Sequence, residues 1–272
     1  MLPPTGSLIV RSMVEATEKT PLKAVLVTGA ARRIGRAIAI DLAKTDWSVA
    51  VHYNRSGEEA RAVVDEISDL GGTACVVQAD LAVEEAAAEL IAEANDAIGP
   101  LNCLVNNASV FEKDTPDTAT RESWESHMQV NLRAPFQLTQ SFVRQRPADV
   151  EGNIINLIDQ RVWNVTPFFT SYTVSKVALW GLTQNLALAL APSVRVNAIG
   201  PGPTLPSIHQ TEEQFERQWS AQPLSRPVLP EEICRAVQFV LDASSMTGQM
   251  IVLDGGQHIG WAPGTADEGK AE

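Results

Sequence analysis

The chain has 272 residues and a formal net charge of −12 at pH 7, a length that suits one α/β domain with a large core. The excess of acidic residues argues against nucleic acid or an anionic membrane surface as a partner. No apolar run reaches the roughly 18 to 20 residues of a membrane span, and Met1 to Thr20 lacks a signal-peptide pattern, so we expect a cytoplasmic protein.

Strand and helix patterns alternate along almost the whole chain, which implies a parallel sheet covered on both faces. We predict a single doubly wound α/β domain over residues 22–261, with a seven-stranded parallel sheet and helices on both faces. Flexible tails are predicted at 1–21 and 262–272. The predicted strands lie near 22–28, 48–53, 73–78, 101–106, 152–158, 193–199 and 249–253. The predicted helices lie near 34–45, 57–70, 84–98, 120–147, 168–191 and 231–242.

The first predicted strand, Leu22 to Val27, runs directly into a turn of small residues. This turn contains Gly29, and Gly35 lies at the start of a helix predicted from Ile34 to Lys44. Glycines in this position allow a tight turn and a close approach of backbone N–H groups to a pyrophosphate, which the helix N-terminus stabilises. The segment therefore predicts a dinucleotide site.

The end of the second predicted strand indicates which dinucleotide. No acidic residue occurs between positions 47 and 57, whereas NAD-binding proteins of this kind use a carboxylate there to bind the ribose hydroxyls. A 2′-phosphate requires cations and hydrogen-bond donors instead, so we predict NADPH. Tyr53 occupies the acidic position, and the expected phosphate contacts are Arg55 and Ser56, with His52 and Asn54 as further contacts.

Asp159, Tyr172 and Lys176 form a third pattern. Tyr172 and Lys176 are four residues apart on a predicted helix, and Asp159 ends the fifth predicted strand thirteen positions before the tyrosine. Residues four apart share one face of a helix, and an ammonium near a phenol favours the phenolate. We therefore expect Lys176 to lower the pKa of Tyr172 towards the range of a general acid. The pattern predicts a proton-delivery site.

Five ordered motifs together carry a family resemblance: Thr28-Gly29-x-x-x-Arg33-x-Gly35, Asn106-Asn107-Ala108-Ser109, Asn131, Tyr172-x-x-x-Lys176 and Pro201-Gly202. In this order and spacing, from about Leu22 to Gly256, the chain resembles the short-chain dehydrogenase/reductase family. The resemblance implies a Rossmann-like domain and nicotinamide chemistry.

Two departures from the commonest family pattern refine this resemblance. Arg33 replaces the middle glycine of the first motif, and Asp159 replaces the usual catalytic serine. The pteridine reductases share both departures, and His52 to Ser56 resembles their H-Y-x-R-S segment. Within the family, the chain is most similar to pteridine reductases and the related bacterial dihydropteridine (dihydromonapterin) reductases.

The resemblance assigns expected roles to the site residues. Asn131 joins Asp159, Tyr172 and Lys176 as a catalytic residue and binds a water that links the lysine to solvent. Asp80 contacts adenine, a role compatible with capping the following helix. Thr204 bonds the nicotinamide carboxamide, and residues 205–223 form a substrate lid with a short helix near 212–219. The expected cofactor contacts further include Gly29, Arg32, Arg33, Ile34, Gly35, Leu81, Asn107, Ala108, Ser109, Tyr172, Lys176, Pro201 and Gly202. The expected substrate contacts are Arg33, Ser109, Phe111, Asp159 and Tyr172, with Phe111 stacking on the pterin.

The function that this resemblance implies is NADPH-dependent reduction of a C=N bond of a dihydropterin, and of folates as a further substrate class. Tyr172 would deliver the proton and Lys176 would bind the nicotinamide ribose. An ionised Asp159 would raise the pKa of Tyr172 and oppose Lys176, whereas a protonated Asp159 would donate a hydrogen bond to the phenol oxygen.

Two other functions remain open at this point. One is a general carbonyl reductase acting on a 3-oxoacyl thioester, a sugar or a steroid, because the fold and the tyrosine chemistry are common to all of these. The other is a non-enzymatic NADPH-binding protein, against which an intact Tyr172 and Lys176 argue.

The remaining expectations concern assembly and compartment. Relatives are usually tetramers built through the long helices at 120–147 and 168–191 and through the last strand. The apolar residues Trp180, Leu182, Leu186 and Leu190 fit such a face, although core packing explains them as well. We expect a homotetramer with a small-molecule substrate. The cysteines, Cys75, Cys103 and Cys234, have no close metal or redox spacing, so we expect core residues in a reducing compartment and no metal site.

Overall fold

The computed structural model describes residues 23–207 and 210–260. The predicted tails, 1–21 and 262–272, lie outside these ranges. In the described part of the chain, seven strands form one parallel sheet in the order β3-β2-β1-β4-β5-β6-β7. The strands are β1 (Ala24–Val27), β2 (Ser48–Tyr53), β3 (Ala74–Gln78), β4 (Cys103–Asn106), β5 (Gly152–Leu157), β6 (Val194–Pro201) and β7 (Met250–Leu253). The predicted fold class is confirmed.

Eight α-helices connect or follow these strands in the described residues: α1 (Arg33–Ala43), α2 (Gly57–Asp69), α3 (Glu84–Ile98), α4 (Arg121–Met128), α5 (Ala134–Gln145), α6 (Thr170–Leu190), α7 (Glu212–Ser220) and α8 (Pro230–Asp242). Short 3₁₀ turns lie at Gln160–Val162 and Gln257–Ile259. None of the helices described is long and apolar enough to cross a membrane.

The alternation of side chains along each strand divides the core between the two faces of the sheet. On β1, Val25 and Val27 belong to the cluster beneath α1, α2 and α8. Ala24 and Leu26 on the same strand face the other way, towards α3, α5 and α6. Both sets are buried, which explains why the strands read as continuous apolar runs in the sequence.

The helix predicted over 120–147 is observed as one uninterrupted helical segment from Arg121 to Gln145, but this segment is not α-helical throughout. The helical segment contains a π-helical turn at Gln129–Arg133, between α4 and α5. Such a turn inserts an extra residue into the helix and frequently marks a functional site. Here it holds the buried side chain of Asn131.

The apolar residues proposed for a tetramer face on α6 pack inward. Leu186 is buried in the core, and Leu182 and Leu190 pack against the same cluster. Trp180 packs beside Leu179. Core packing therefore accounts for these four residues, and the homotetramer stays a prediction.

Candidate active site

A cleft of about 550 Å³ opens at the carboxyl ends of the strands. It lies where the strand order reverses between β1 and β4, the place where open α/β sheets bind ligands. The predicted residues in its walls are Gly29, Arg32, Arg33, Ile34, Gly35, His52, Asn54, Asp80, Leu81, Asn107, Ala108, Ser109, Phe111, Asp159, Tyr172, Lys176, Pro201, Gly202 and Thr204. Tyr53, Arg55, Ser56 and Asn131 are predicted site residues that do not line this cleft.

The glycine turn after β1 is held by Asn107, which follows β4. The Asn107 side-chain amide donates to the carbonyl oxygens of Thr28 at 2.8 Å and Gly29 at 3.1 Å. A Cβ atom on Gly35 would collide with the Gly29 carbonyl and the Asn107 amide. Only glycine therefore fits at the start of α1, and Asn107 has a structural role beside the cleft.

Arg33 has a left-handed backbone conformation that favours glycine, with φ of 56°. Its guanidinium donates to the carbonyl oxygens of Pro206 at 2.7 Å and Leu205 at 3.1 Å. Burial lowers the pKa of Arg33, which nevertheless stays charged at neutral pH. Arg33 thus connects the turn before α1 to the first residues of the predicted lid.

His52 differs from its predicted role as a phosphate contact. The side chain is buried, its Nδ1 accepts a hydrogen bond from Gly29 N at 3.0 Å, and its Nε2 lies 3.2 Å from the carbonyl oxygen of Ala79. Burial lowers the pKa of His52 to about 4, so the ring is neutral at physiological pH. A neutral ring with both nitrogens engaged fixes the glycine turn and presents no charge to a phosphate.

The residues after His52 divide between the cleft and the surface. Asn54 lines the cleft, whereas the ring of Tyr53 packs towards Gly57. Arg55 is exposed and Ser56 directly precedes α2. Their role in holding a 2′-phosphate stays a prediction.

Asp80 and Leu81 follow β3. The Asp80 carboxylate accepts a hydrogen bond from Ala82 N at 3.0 Å, while the residue that precedes α3 is Val83. Asp80 therefore stabilises the loop rather than capping the helix. Leu81 is buried in the core and also borders the cleft.

The sequence correctly pairs Asp159 with Tyr172. The Tyr172 hydroxyl donates a hydrogen bond of 2.9 Å to Asp159 Oδ2. Burial raises the pKa of Tyr172 well above its ordinary value, the charge of Asp159 raises it further, and the charge of Arg161 opposes this rise. A protonated phenol at neutral pH is the form that a proton donor requires.

The expectation that Lys176 brings the pKa of Tyr172 below its ordinary value is wrong, because burial and the charge of Asp159 raise that pKa. Lys176 Nζ lies 5.7 Å from the centroid of the Tyr172 ring and donates to the carbonyl oxygen of Leu157 at 2.9 Å. Burial lowers the pKa of Lys176 to about 8, against an opposing effect of the Asp159 carboxylate. Lys176 is therefore mostly charged at pH 7 and mostly neutral above pH 9.

Asn131 ties three segments together from the π-helical turn. Its side-chain amide donates to the carbonyl oxygen of Val110 and to Ser175 Oγ, both at 3.0 Å. Its Oδ1 accepts from Val110 N at 2.8 Å and from Ser109 Oγ at 3.1 Å. These four bonds fill the capacity of the amide. The Asn131 side chain therefore holds α6 against the loop that follows β4. It has no hydrogen-bonding capacity left for the expected water.

Phe111, which lines the cleft, and Phe169 form an aromatic stack beside Tyr172. Their ring centroids are 4.5 Å apart and their planes differ by 6°. Phe111 also meets Tyr172 edge to face, at 4.7 Å. One face of Phe111 is therefore already covered by Phe169, so a pterin stacked on Phe111 would have to use the opposite face.

Sequence reasoning missed Arg161 and Asp114. Arg161 lines the cleft and is buried, with Nε 4.0 Å from Asp159 Oδ2. Asp114 is buried near the start of α6, where it accepts hydrogen bonds from Ser171 N at 3.0 Å and Ser123 Oγ at 3.1 Å. The spacing of Arg161 two residues after Asp159 was a usable signal, because that segment leaves a strand end at the cleft. No signal in the sequence pointed to Asp114.

The loop after β6 has the predicted place beside the cleft. Pro201, Gly202 and Thr204 line it, and Thr204 Oγ1 donates to the carbonyl oxygen of Gly202 at 2.9 Å. The predicted short helix of the lid is observed as α7, with Thr211 as its N-cap. The contact of Thr204 with a carboxamide stays a prediction.

The fold and the site agree with a match to a known family. The protein-family model described as short chain dehydrogenase matches residues 23–217, well over half of the chain. The chain therefore belongs to the short-chain dehydrogenase/reductase family, and it is an oxidoreductase.

Individual relatives point to two kinds of substrate. The 3-oxoacyl-[acyl-carrier-protein] reductase FabG of Staphylococcus aureus (strain Mu50 / ATCC 700699) is 33% identical over 242 residues, which span 87% of this chain and 98% of that protein. The FolM alternative dihydrofolate reductase 1 from Brucella suis, solved in complex with NADP, is 50% identical, with a TM-score of 0.86 over 90% of this chain and 98% of that one. A short chain dehydrogenase from Burkholderia cenocepacia J2315, also solved with NADP, is 32% identical, with a TM-score of 0.80 over 87% and 98% of the two chains.

Proposed function

We propose that this protein is an NADPH-dependent reductase of dihydropterins that also accepts dihydrofolate. The observation that carries the proposal is the hydrogen bond between the Tyr172 hydroxyl and the Asp159 carboxylate. A carboxylate beside the proton donor can accept hydrogen bonds from the amino group and ring N–H of a pterin, which a serine in its place would match poorly. The 50% identity to a dihydrofolate reductase supports the same substrate class.

The cofactor is NADPH. The cleft fits it because the crowded glycine turn presents backbone at the N-terminus of α1, and Arg33 adds positive charge to the same wall, where Arg32 forms an ion pair with Glu59. No acidic residue lies between positions 47 and 57 to compete with a 2′-phosphate. The NADP bound to two of the relatives agrees with this choice.

The chain's own residues hold the substrate and move the proton. When bound, NADPH supplies the hydride that adds to a C=N carbon of the ring. Tyr172 donates its proton to the ring nitrogen of that bond, so the substrate gains one hydride and one proton. Asp159 holds the phenol in position, and the charged Lys176 stabilises the phenolate that remains.

The second candidate is a carbonyl reductase of 3-oxoacyl thioesters, favoured by the 33% identity to FabG over 98% of that protein. The experiment measures NADPH oxidation with dihydrobiopterin, dihydromonapterin and dihydrofolate, and with an acetoacetyl thioester, at equal enzyme concentration. We expect turnover with the dihydropterins and at most weak turnover with the thioester. Faster turnover of the thioester would replace the proposal with the second candidate.

A further inference from the structure

Arg161 is a buried cation next to the proton-donating pair. It is 5% exposed, its backbone N donates to Asp159 Oδ1 at 2.8 Å, and its Nε lies 4.0 Å from Asp159 Oδ2. Tyr172 donates to the same Oδ2 atom. Arg161 and Tyr172 therefore approach the same carboxylate oxygen of Asp159. The charge of Arg161 consequently influences how readily Tyr172 gives up its proton.

The guanidinium is held in a fixed orientation. Arg161 Nη1 donates to Thr166 Oγ1 at 3.1 Å, and the guanidinium carbon lies 5.1 Å from the centroid of the Phe169 ring and 6.0 Å from that of Phe111. Phe169 itself has a left-handed backbone with φ of 57°, which is unusual for a bulky residue. The stack and the hydroxyl together place a permanent charge at the substrate end of the cleft.

Proton donation leaves two negative charges side by side. The phenolate of Tyr172 would lie against the Asp159 carboxylate, and this repulsion contributes to the raised pKa of Tyr172. Lys176 is one cation able to offset the repulsion, but its Nζ lies 5.7 Å from the centroid of the Tyr172 ring and donates its hydrogen bond to the carbonyl oxygen of Leu157. Among the residues that the structure describes, the titratable or charged groups around Tyr172 are Asp159, Arg161, Lys176, His127 of α4 and Asp114 near the start of α6.

We propose that Arg161 is a positioning residue that offsets the charge of Asp159 when Tyr172 gives up its proton. Asp159 can then hold the phenol without preventing its ionisation. This proposal rests on the proposed function only for proton donation by Tyr172, a step that is the same for any substrate of the site.

The experiment combines charge variants with a double-mutant cycle. Arg161→Met removes the cation, Arg161→Lys retains a charge without the planar stack, and Thr166→Val loosens the guanidinium. Arg121→Met is the matched control, because Arg121 forms an exposed ion pair with Glu125 on α4. Each Arg161 change is also made in an Asp159→Asn background, where there is no carboxylate charge to offset.

Turnover is measured with the best substrate of the panel above. We expect kcat to fall about tenfold in Arg161→Met, with partial recovery in Arg161→Lys and a smaller loss in Thr166→Val. In the Asp159→Asn background the same removal of Arg161 should cost at most about twofold. Equal losses in both backgrounds, or no benefit of lysine over methionine, would overturn the proposal.

A second readout needs no substrate, so it separates failure of this inference from failure of the proposed function. The chain contains two tyrosines, and 3,5-difluorotyrosine incorporated at both gives two ¹⁹F resonances, which Tyr172→Phe assigns. Fluorine acidifies the phenol, which lowers the pH at which Tyr172 ionises. The Tyr172 resonance should titrate at higher pH in Arg161→Met than in the parent or in Arg121→Met. An unchanged titration would contradict the proposal.

Discussion

Asp159 gives the proton-donating pair its character at the residue scale. It accepts the hydroxyl of Tyr172 and, with burial, raises the pKa of that phenol. The phenol is thereby kept protonated at neutral pH, but each proton donation has to overcome the repulsion of a neighbouring carboxylate. A site of this kind favours a substrate that itself binds the carboxylate and shares its charge, as the amino group of a pterin does.

Replacing Asp159 with serine tests this interpretation. We expect Asp159→Ser to lower pterin turnover at least about tenfold, because serine accepts a weaker hydrogen bond and carries no charge for the substrate amino group. Binding of NADPH should be almost unchanged, because the predicted contacts with the cofactor lie elsewhere in the cleft. Steady-state rates and a fluorescence titration with NADPH measure the two effects. Equal turnover by parent and variant would remove Asp159 from the mechanism.

The pKa of Lys176 predicts the pH dependence of the reaction. Burial lowers this pKa to about 8, so the ammonium that stabilises the phenolate is lost as the pH rises through that value. Turnover should therefore decline above pH 8, although Tyr172 itself stays protonated. In Lys176→Arg the charge persists, so we expect a lower rate whose alkaline decline moves to higher pH. A decline at the same pH in that variant would assign it to another group.

The sequence could predict which residues end the strands at the cleft, but not all of their contacts. Asp159, Tyr172 and Lys176 follow from helix periodicity and family spacing. Arg161 does not, because its burial depends on Phe111, about fifty positions earlier in the chain, and on a bulky residue with a left-handed backbone. The prediction that His52 contacts the phosphate is wrong for a similar reason, since its hydrogen-bond partners follow the ends of two other strands.

At the element scale, the π-helical turn is likewise a feature that the sequence does not predict. Residues 120–147 have a helical pattern throughout, so the sequence predicts one helix. The π-helical turn at Gln129–Arg133 is held by tertiary bonds, because Asn131 contacts Val110 on one side and Ser175 on the other. Strands were more predictable, since burial on both faces gives apolar runs that need no knowledge of the partner.

Substitution of Asn131 tests this connection. In Asn131→Ala the N–H and carbonyl of Val110 lose their partner in a buried region, and we expect a loss of about 2 to 4 kcal/mol in the free energy of unfolding. Asn131→Asp retains the two bonds to Oδ1 but buries a carboxylate whose other oxygen faces the Val110 carbonyl and Ser175 Oγ. Chemical denaturation should therefore place both variants below the parent. Stability within 0.5 kcal/mol, about the spread of neutral surface substitutions, would show that the turn forms without this side chain.

The cleft joins the two halves of the sheet at the scale of the whole molecule. The turn after β1 and the loops after β2 and β3 form one wall, and the loops after β4, β5 and β6 form the other. Arg33 crosses between them, because it leaves the turn before α1 and donates to the backbone at Leu205 and Pro206. A dinucleotide bound along the cleft would contact both halves and should stabilise the folded protein as a unit.

Thermal unfolding with NADPH and NADH tests this coupling and the choice of cofactor together. At a concentration about 100 times its Kd, NADPH should add about 2.7 kcal/mol to the free energy of unfolding and raise Tm by roughly 5 to 10 °C. NADH at the same concentration should raise Tm much less, because it lacks the phosphate that Arg55 is predicted to hold. Arg55→Glu should remove most of the difference between the two cofactors. Arg61→Glu makes the same charge change on an exposed position of α2 and should preserve the difference. If Arg55→Glu instead retained the full preference for NADPH, the phosphate would have to be held from the cleft wall itself, by Arg32, Arg33 or Asn54.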